Sequence, residues 1–148
     1  MEQAAIIENS YMPTENEPYM NANQIAYFKG KLLKRKQELS IRLGMTIGKI
    51  KTLESYQADI LDRSNSYIDV EREVSNFERY SIVLEQIDRA LKRIDEGSFG
   101  YCELTGDEIG LRRLEAIPFA SMSIQALEAF EAEQRGGSFS PRRPVLFS

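Results

Sequence analysis

The chain has 148 residues, with 19 Lys and Arg against 23 Asp and Glu, for a formal charge of −4. One cysteine and no histidine exclude an intramolecular disulfide, a multi-cysteine metal centre and the hydrolase sites that need an imidazole base. No run of about 18 apolar residues is present to span a membrane, and the opening MEQAAIIENSYM carries Glu2 and Glu8 without a basic start, unlike a secretory signal; a cytoplasmic protein is expected.

In chain order, residues 1–20 have no clear periodicity, although Ile6, Ile7, Tyr11 and Met12 are candidates to pack on a globular base. Residues 21–96 hold no proline, the residue most costly to a helix interior at about 3 kcal/mol, so long helices are allowed. One apolar stripe runs Ile25, Phe28, Leu32, Leu39, Leu43, Ile47, Ile50 and Leu53, and a second runs Val70, Val74, Phe77, Leu84, Ile87, Leu91 and Ile94. Both step by three, four and seven residues with a charged opposite face, which predicts two helices packed along one seam. Between them SYQADILDRSNSY, residues 55–67, reads as a tip, with Ser66 to Asp69 as the cap of the second helix. Arms of roughly 30 residues reach about 45 Å.

Charge follows the same division. Lys29 to Lys51 contains eight basic residues opposed by Glu38 alone, and Glu54 to Glu108 contains fourteen acidic and six basic residues. A basic run is also what nucleic-acid binding uses. The simpler reading is a basic arm folded back on an acidic one, and the net charge of −4 disfavours direct DNA binding. Gly30, Gly44 and Gly48 weaken the first helix by about 1 kcal/mol each relative to alanine.

A two-helix seam has no broad core, so a base is needed at the open end. Residues 97–120, GSFGYCELTGDEIGLRRLEAIPFA, are rich in glycine and read as turns and short strands. The candidate core there is Phe99, Tyr101, Leu104, Ile109, Leu111, Leu114, Ile117 and Phe119. A short helix follows from Ser123, and residues 136–148 read as a disordered tail. The fold class is therefore mainly α: a long antiparallel two-helix coiled-coil hairpin over 21–96, tip near 56–66, on a small base over 97–135 that includes a C-terminal helix.

The base carries a specific resemblance. Phe99-Gly100-Tyr101-Cys102, Gly106, Ile109-Gly110, Arg112 to Ala116, Pro118 and Ala120 resemble the bacterial DksA/TraR zinc-finger family. So do Glu17 to Asn21 with Gln24 and Phe28, and Asp59-x-x-Asp62-Arg63 at the tip. Family members hold a structural zinc with two C-x-x-C pairs. At those positions this chain has Cys102, Thr105, Ser123 and Ala126, and a tetrahedral zinc needs four thiolate or imidazole donors. No zinc or other cofactor is expected, and the chain resembles the zinc-independent branch of the family. Cys102 reads as a small buried hydrophobe.

The resemblance implies a partner and a mechanism. DksA-like proteins insert their coiled coil into the secondary channel of bacterial RNA polymerase, and Asp59, Asp62, Arg63 and Ser64 would face the active centre. From spacing alone, Asp59 and Asp62 read as turn caps. Ser64 stands where the family usually has alanine. The implied role is regulatory, not enzymatic: destabilising open complexes at promoters such as those for ribosomal RNA. In the family guanosine tetraphosphate is a co-regulator. Its basic contact positions correspond here to Gln86, Ile117 and Leu127, so weakened coupling is expected unless Arg79, Arg112 or Arg113 compensates. A Gre-type transcript-cleavage factor and a coiled-coil adaptor are the alternatives, and a monomer is expected.

Overall fold

A computed structural model describes residues 11–59 and 63–136, with the side chains of 11–55 and 67–136. The expected packing of Ile6 and Ile7, Asp62 at the tip, and the expected disorder of 137–148 lie outside the described residues. Among the described residues the helices are, in order, α1 (Ala22–Asp59), α2 (Arg63–Glu96), α3 (Leu111–Ala116) and α4 (Ile124–Arg135). They fall into two compact units, one of residues up to 31 and from 89 onward, the other Leu32–Asp88. The base therefore takes in the first turns of α1 and the last turns of α2, beyond the expected 97–135.

Helix α1 starts where the sequence supplies a cap. The Asn21 side chain accepts the Gln24 N–H at 2.9 Å, satisfying one of the free amides of the first turn. The Gln24 side chain reaches back to accept the Met20 N–H at 2.8 Å and donates to the Thr14 carbonyl. Gln24 is fully buried, and these bonds are what make that burial tolerable. Helix α2 ends at Gly97, which takes φ +80°, while the amides of Ser98 and Phe99 turn back to the Arg93 carbonyl. This left-handed glycine ending satisfies carbonyls that the helix leaves free.

The arm, Leu32–Asp88, contains the seam. Leu32, Leu39, Thr46 and Ile87 are its buried residues. Lys36 meets Asp88 at 2.7 Å, whereas residues 45–53 share a groove with 69–73, so the two helices run antiparallel. The ion pair joins the basic helix to the acidic one as the charge pattern predicts. Both partners are largely exposed, and such pairs contribute about 0–1 kcal/mol. Apolar packing must supply most of the cohesion.

Three sequence expectations are corrected. Ile47 and Val74 are exposed at 37% and 38%, because the buried line on α1 follows a seven-residue register, Leu32, Leu39 and Thr46, in which the polar Thr46 fills one step and the next, Leu53, is half-buried. Ser66 does not cap α2, which begins at Arg63; its backbone lies within the helix. The glycine-rich base forms one isolated bridge, Tyr101 to Glu108, and the helix α3 in place of short strands. Within the base Phe99, Ile109 and Leu114 are buried, but Leu104 and Ile117 are exposed at 49% and 36%. Of the N-terminal candidates, Tyr11 stacks edge-on against Tyr27 with centroids 6.2 Å apart, and Met12 is 64% exposed.

Gly100 carries a steric constraint as well as a conformational one. It has φ +93°, and a Cβ built there would lie 2.6 Å from Met20 Cγ and 2.7 Å from Met20 Sδ. Gly106 also has positive φ, +76°, but open space around it. Gly100→Ala is expected to lower the unfolding free energy by about 2–3 kcal/mol, against about 1 kcal/mol for Gly106→Ala. Urea titration of the two variants checks the difference, and equal losses would contradict the close approach of Met20.

Candidate functional site

The base is built around the loop from Gly100 to Gly110. Inside the loop the Cys102 amide donates to Asp107 O at 2.7 Å, the Gly106 amide to Cys102 O at 2.9 Å, and the Ile109 amide to Gly100 O at 2.9 Å. Its rim is held by residues distant in sequence. The Tyr19 hydroxyl donates to Gly100 O at 2.6 Å and accepts the Gly110 N–H at 3.0 Å. Arg93 donates to Ser98 O at 3.0 Å and to Tyr101 O, with Glu103 beside it at 3.8 Å. On the far side the Glu103 amide donates to Ser121 O at 2.9 Å, and Arg113 Nε donates to Met122 O at 2.9 Å. The segments carrying Cys102 and Ser123 are thus tied together by hydrogen bonds between protein groups.

A second anchor joins α3 to the first turns of α1. Glu115 receives Lys31 Nζ at 2.5 Å and the Tyr27 hydroxyl at 2.8 Å. Partial burial raises the Glu115 carboxyl, but Lys31 and Tyr27 outweigh it and leave the pKa lowered. Burial and the Glu115 carboxylate together push the Tyr27 phenol up to about 12. One charge of the basic run is therefore engaged within the base.

The four positions of the family's metal site are brought together. Cys102 and Ser123 are 3% exposed and Ala126 is 7% exposed. Ser123 is the N-cap of α4, its Oγ accepting the Ala126 N–H at 3.2 Å. Burial pushes the Cys102 thiol up, yet the Thr105 hydroxyl and the amides of Ser123, Thr105 and Leu104 outweigh it and bring the pKa down to about 7. One sulfur, a hydroxyl committed to a helix cap, a second hydroxyl and a methyl do not fit the four-donor shell of a structural zinc. Among the described residues no group of three or more His, Cys, Asp or Glu is placed to hold a metal ion.

The other predicted site is the joint between α1 and α2. Asp59 is the last residue of α1, and Arg63 and Ser64 begin α2. Asp62, within 60–62, lies outside the described residues, as do the side chains of Asp59, Arg63 and Ser64. Of the alarmone positions, Ile117 is exposed and Gln86 and Leu127 are half-buried. Arg93 was not anticipated from the sequence, although a basic residue one turn before Gly97 suits the carbonyl-rich end of a helix.

Comparison with known proteins covers both halves of this arrangement. Residues 24–94 match the family described as DnaK suppressor protein DksA, N-terminal domain. Residues 97–132 match the prokaryotic dksA/traR C4-type zinc finger. The chain belongs to the DksA/TraR family. The RNA polymerase-binding transcription factor DksA of Caulobacter vibrioides is 40% identical over 137 residues, covering 91% of this chain and 96% of that one. Its namesake in Escherichia coli K12 is 30% identical over 125 residues, covering 84% and 83%. The structure of transcription factor DksA2 from Pseudomonas aeruginosa aligns with a TM-score of 0.74 at 33% identity, covering 90% of this chain and 97% of that one. Against the C4-type finger of the family, this member keeps one cysteine.

The Cys102 environment gives a pH signature. Its folded pKa, about 7, lies below the unfolded value of about 8.5. Stability from the bound thiolate is therefore fully present above the unfolded value and is lost as pH falls through about 7. Cys102→Ala is expected to remove that rise in stability between the two values. The Cβ chemical shift of Cys102 reports the titration directly, and a midpoint near that of a free thiol would contradict the hydrogen-bonded site.

Proposed function

We propose that this chain binds RNA polymerase and regulates transcription initiation, entering the secondary channel with the joint between α1 and α2. One observation carries the reading: family models match the long helices and the base in turn, and the relatives that cover nearly the whole chain are named RNA polymerase-binding transcription factors. The fold suits the role. Two antiparallel helices present a narrow end where a globular domain would be too wide to follow, and Asp59, Arg63 and Ser64 lie at the helix termini there.

The chain would act by differential binding, without chemistry of its own. A factor shifts promoter complexes only as far as it prefers one state over another. Carboxylates at Asp59 and Asp62, facing the active centre, would favour the less stable complexes. Promoters with short-lived open complexes, those for ribosomal RNA among them, would be repressed. The base would hold the arm in register without zinc, since the residues at the metal positions are already engaged with one another. Guanosine tetraphosphate would couple weakly: Gln86, Ile117 and Leu127 offer no cation to a polyphosphate, and Arg113 Nε is engaged by the Met122 carbonyl.

Open-complex lifetime at a ribosomal RNA promoter, measured under a strong zinc chelator, tests this. Wild-type protein is expected to shorten the lifetime. Asp59→Asn and Asp62→Asn are expected to bind polymerase yet leave the lifetime near that of polymerase alone. Guanosine tetraphosphate is expected to add little. A wild-type protein that binds polymerase but leaves the lifetime unchanged would sink the regulatory mechanism.

A further inference from the structure

Helix α4 packs on the base and leaves one of its faces uncovered. Ala126 is buried and Leu127 and Phe130 are half-buried, but Ile124 is 48% exposed. Residues at i, i+4 and i+7 share a face of a helix, which puts Glu128 and Glu131 in line with Ile124. Glu131 meets Arg135 at 3.7 Å, an exposed pair of small worth, and Glu128 has no hydrogen bond or ion pair among the described residues. A second apolar side chain stands at the same rim. The amides of Leu104 and Ser123 both turn to the Cys102 thiol, so Leu104, 49% exposed, and Ile124 leave the backbone beside that thiol. Read back from Gly136, the surface offers two carboxylates first and two large apolar side chains after them.

The chain carries a segment with the complementary chemistry in the same order. Residues 137–148, which lie outside the described residues, follow directly on α4 and read GSFSPRRPVLFS. Arg142 and Arg143 come first, Val145, Leu146 and Phe147 after them, and no acidic residue is present. The reach suffices. From Ile124 to Gly136 the helix rises about 18 Å, whereas a chain of this length spans up to about 40 Å. It is long enough to turn at Gly136-Gly137 and pass back beyond Ile124. Its composition denies it a core of its own, so a surface must supply any order it gains.

We propose that residues 137–148 fold back along α4, with Arg142 and Arg143 on Glu128 and Glu131 and with Val145, Leu146 and Phe147 covering Ile124 and Leu104. The occupant of the uncovered face is the chain's own C-terminal segment. It fastens α4 to the loop of Cys102 from outside, and the inference does not depend on the polymerase reading.

Amide hydrogen exchange of the full-length chain tests this against a synthetic peptide of residues 137–148. In the wild-type chain the amides of Val145 to Phe147 are expected to exchange about tenfold more slowly than in the peptide, the protection of a locally docked segment. Leu146→Asp sets a charge on the apolar contact and is expected to return them to the peptide's rate, with helix content by circular dichroism unchanged. Glu128→Arg is expected to lower the protection by about threefold, the worth of exposed ion pairs. Adding Arg142→Glu and Arg143→Glu to that variant is expected to restore it. Exchange at the peptide's rate in the wild-type chain would overturn the docking. Protection that grows with protein concentration would place the segment on a second copy and overturn the fold-back. Full protection in Glu128→Arg, or no recovery on reversing the two arginines, would overturn the charge register.

Discussion

The Tyr19 hydroxyl, shared between the carbonyl of Gly100 and the amide of Gly110, is the contact on which the base depends. It closes the loop that holds Cys102 and is supplied by a segment eighty residues earlier in the chain. Its geometry explains its neighbours. Met20 adopts φ 54° as the chain passes over Gly100, and only glycine at 100 leaves room for that crossing. Gln24, buried below, holds the same segment by both its amide and its carbonyl.

The scale of energies shows why so many contacts are needed. A structural zinc contributes about 10–16 kcal/mol in small domains, whereas a neutral hydrogen bond contributes about 1 kcal/mol and a charged one about 1.5–3 kcal/mol. No single contact replaces a metal. Tyr19 closes one side of the loop, Arg93 gathers the carbonyls of Ser98 and Tyr101, and Arg113 fixes Met122 near the start of α4. The apolar core of Phe28, Phe99, Ile109 and Leu114 contributes the burial that hydrogen bonds alone do not supply.

Much of the fold was legible because long helices write their register into sequence. Phe28, Leu32, Leu39 and Ile87 are buried as the stripes predict, and Ser123 caps the last helix. The failures have physical causes. Thr46 took the seam position expected for Ile47 because a seven-residue register outranks local hydrophobicity once two helices pack. The serines near residue 66 suggested a cap, but α2 starts at Arg63, three residues earlier. In the base, the glycine-rich segment was read as turns and short strands; the turns hold, but φ values of +76° to +99° at Gly106, Gly100 and Gly110 belong to a loop closed from outside in place of strands. Closure by Tyr19 and Arg93 is a long-range pairing that no local pattern announces. The four positions of the metal site were named through family resemblance and not through spacing.

Thermal unfolding of the full-length chain, compared between a strong zinc chelator and a buffer with added zinc, is the most direct test of a base held by protein contacts alone. The same midpoint and the same cooperativity in both buffers are expected. A midpoint that falls under chelation and recovers with zinc would show that a metal holds the base after all.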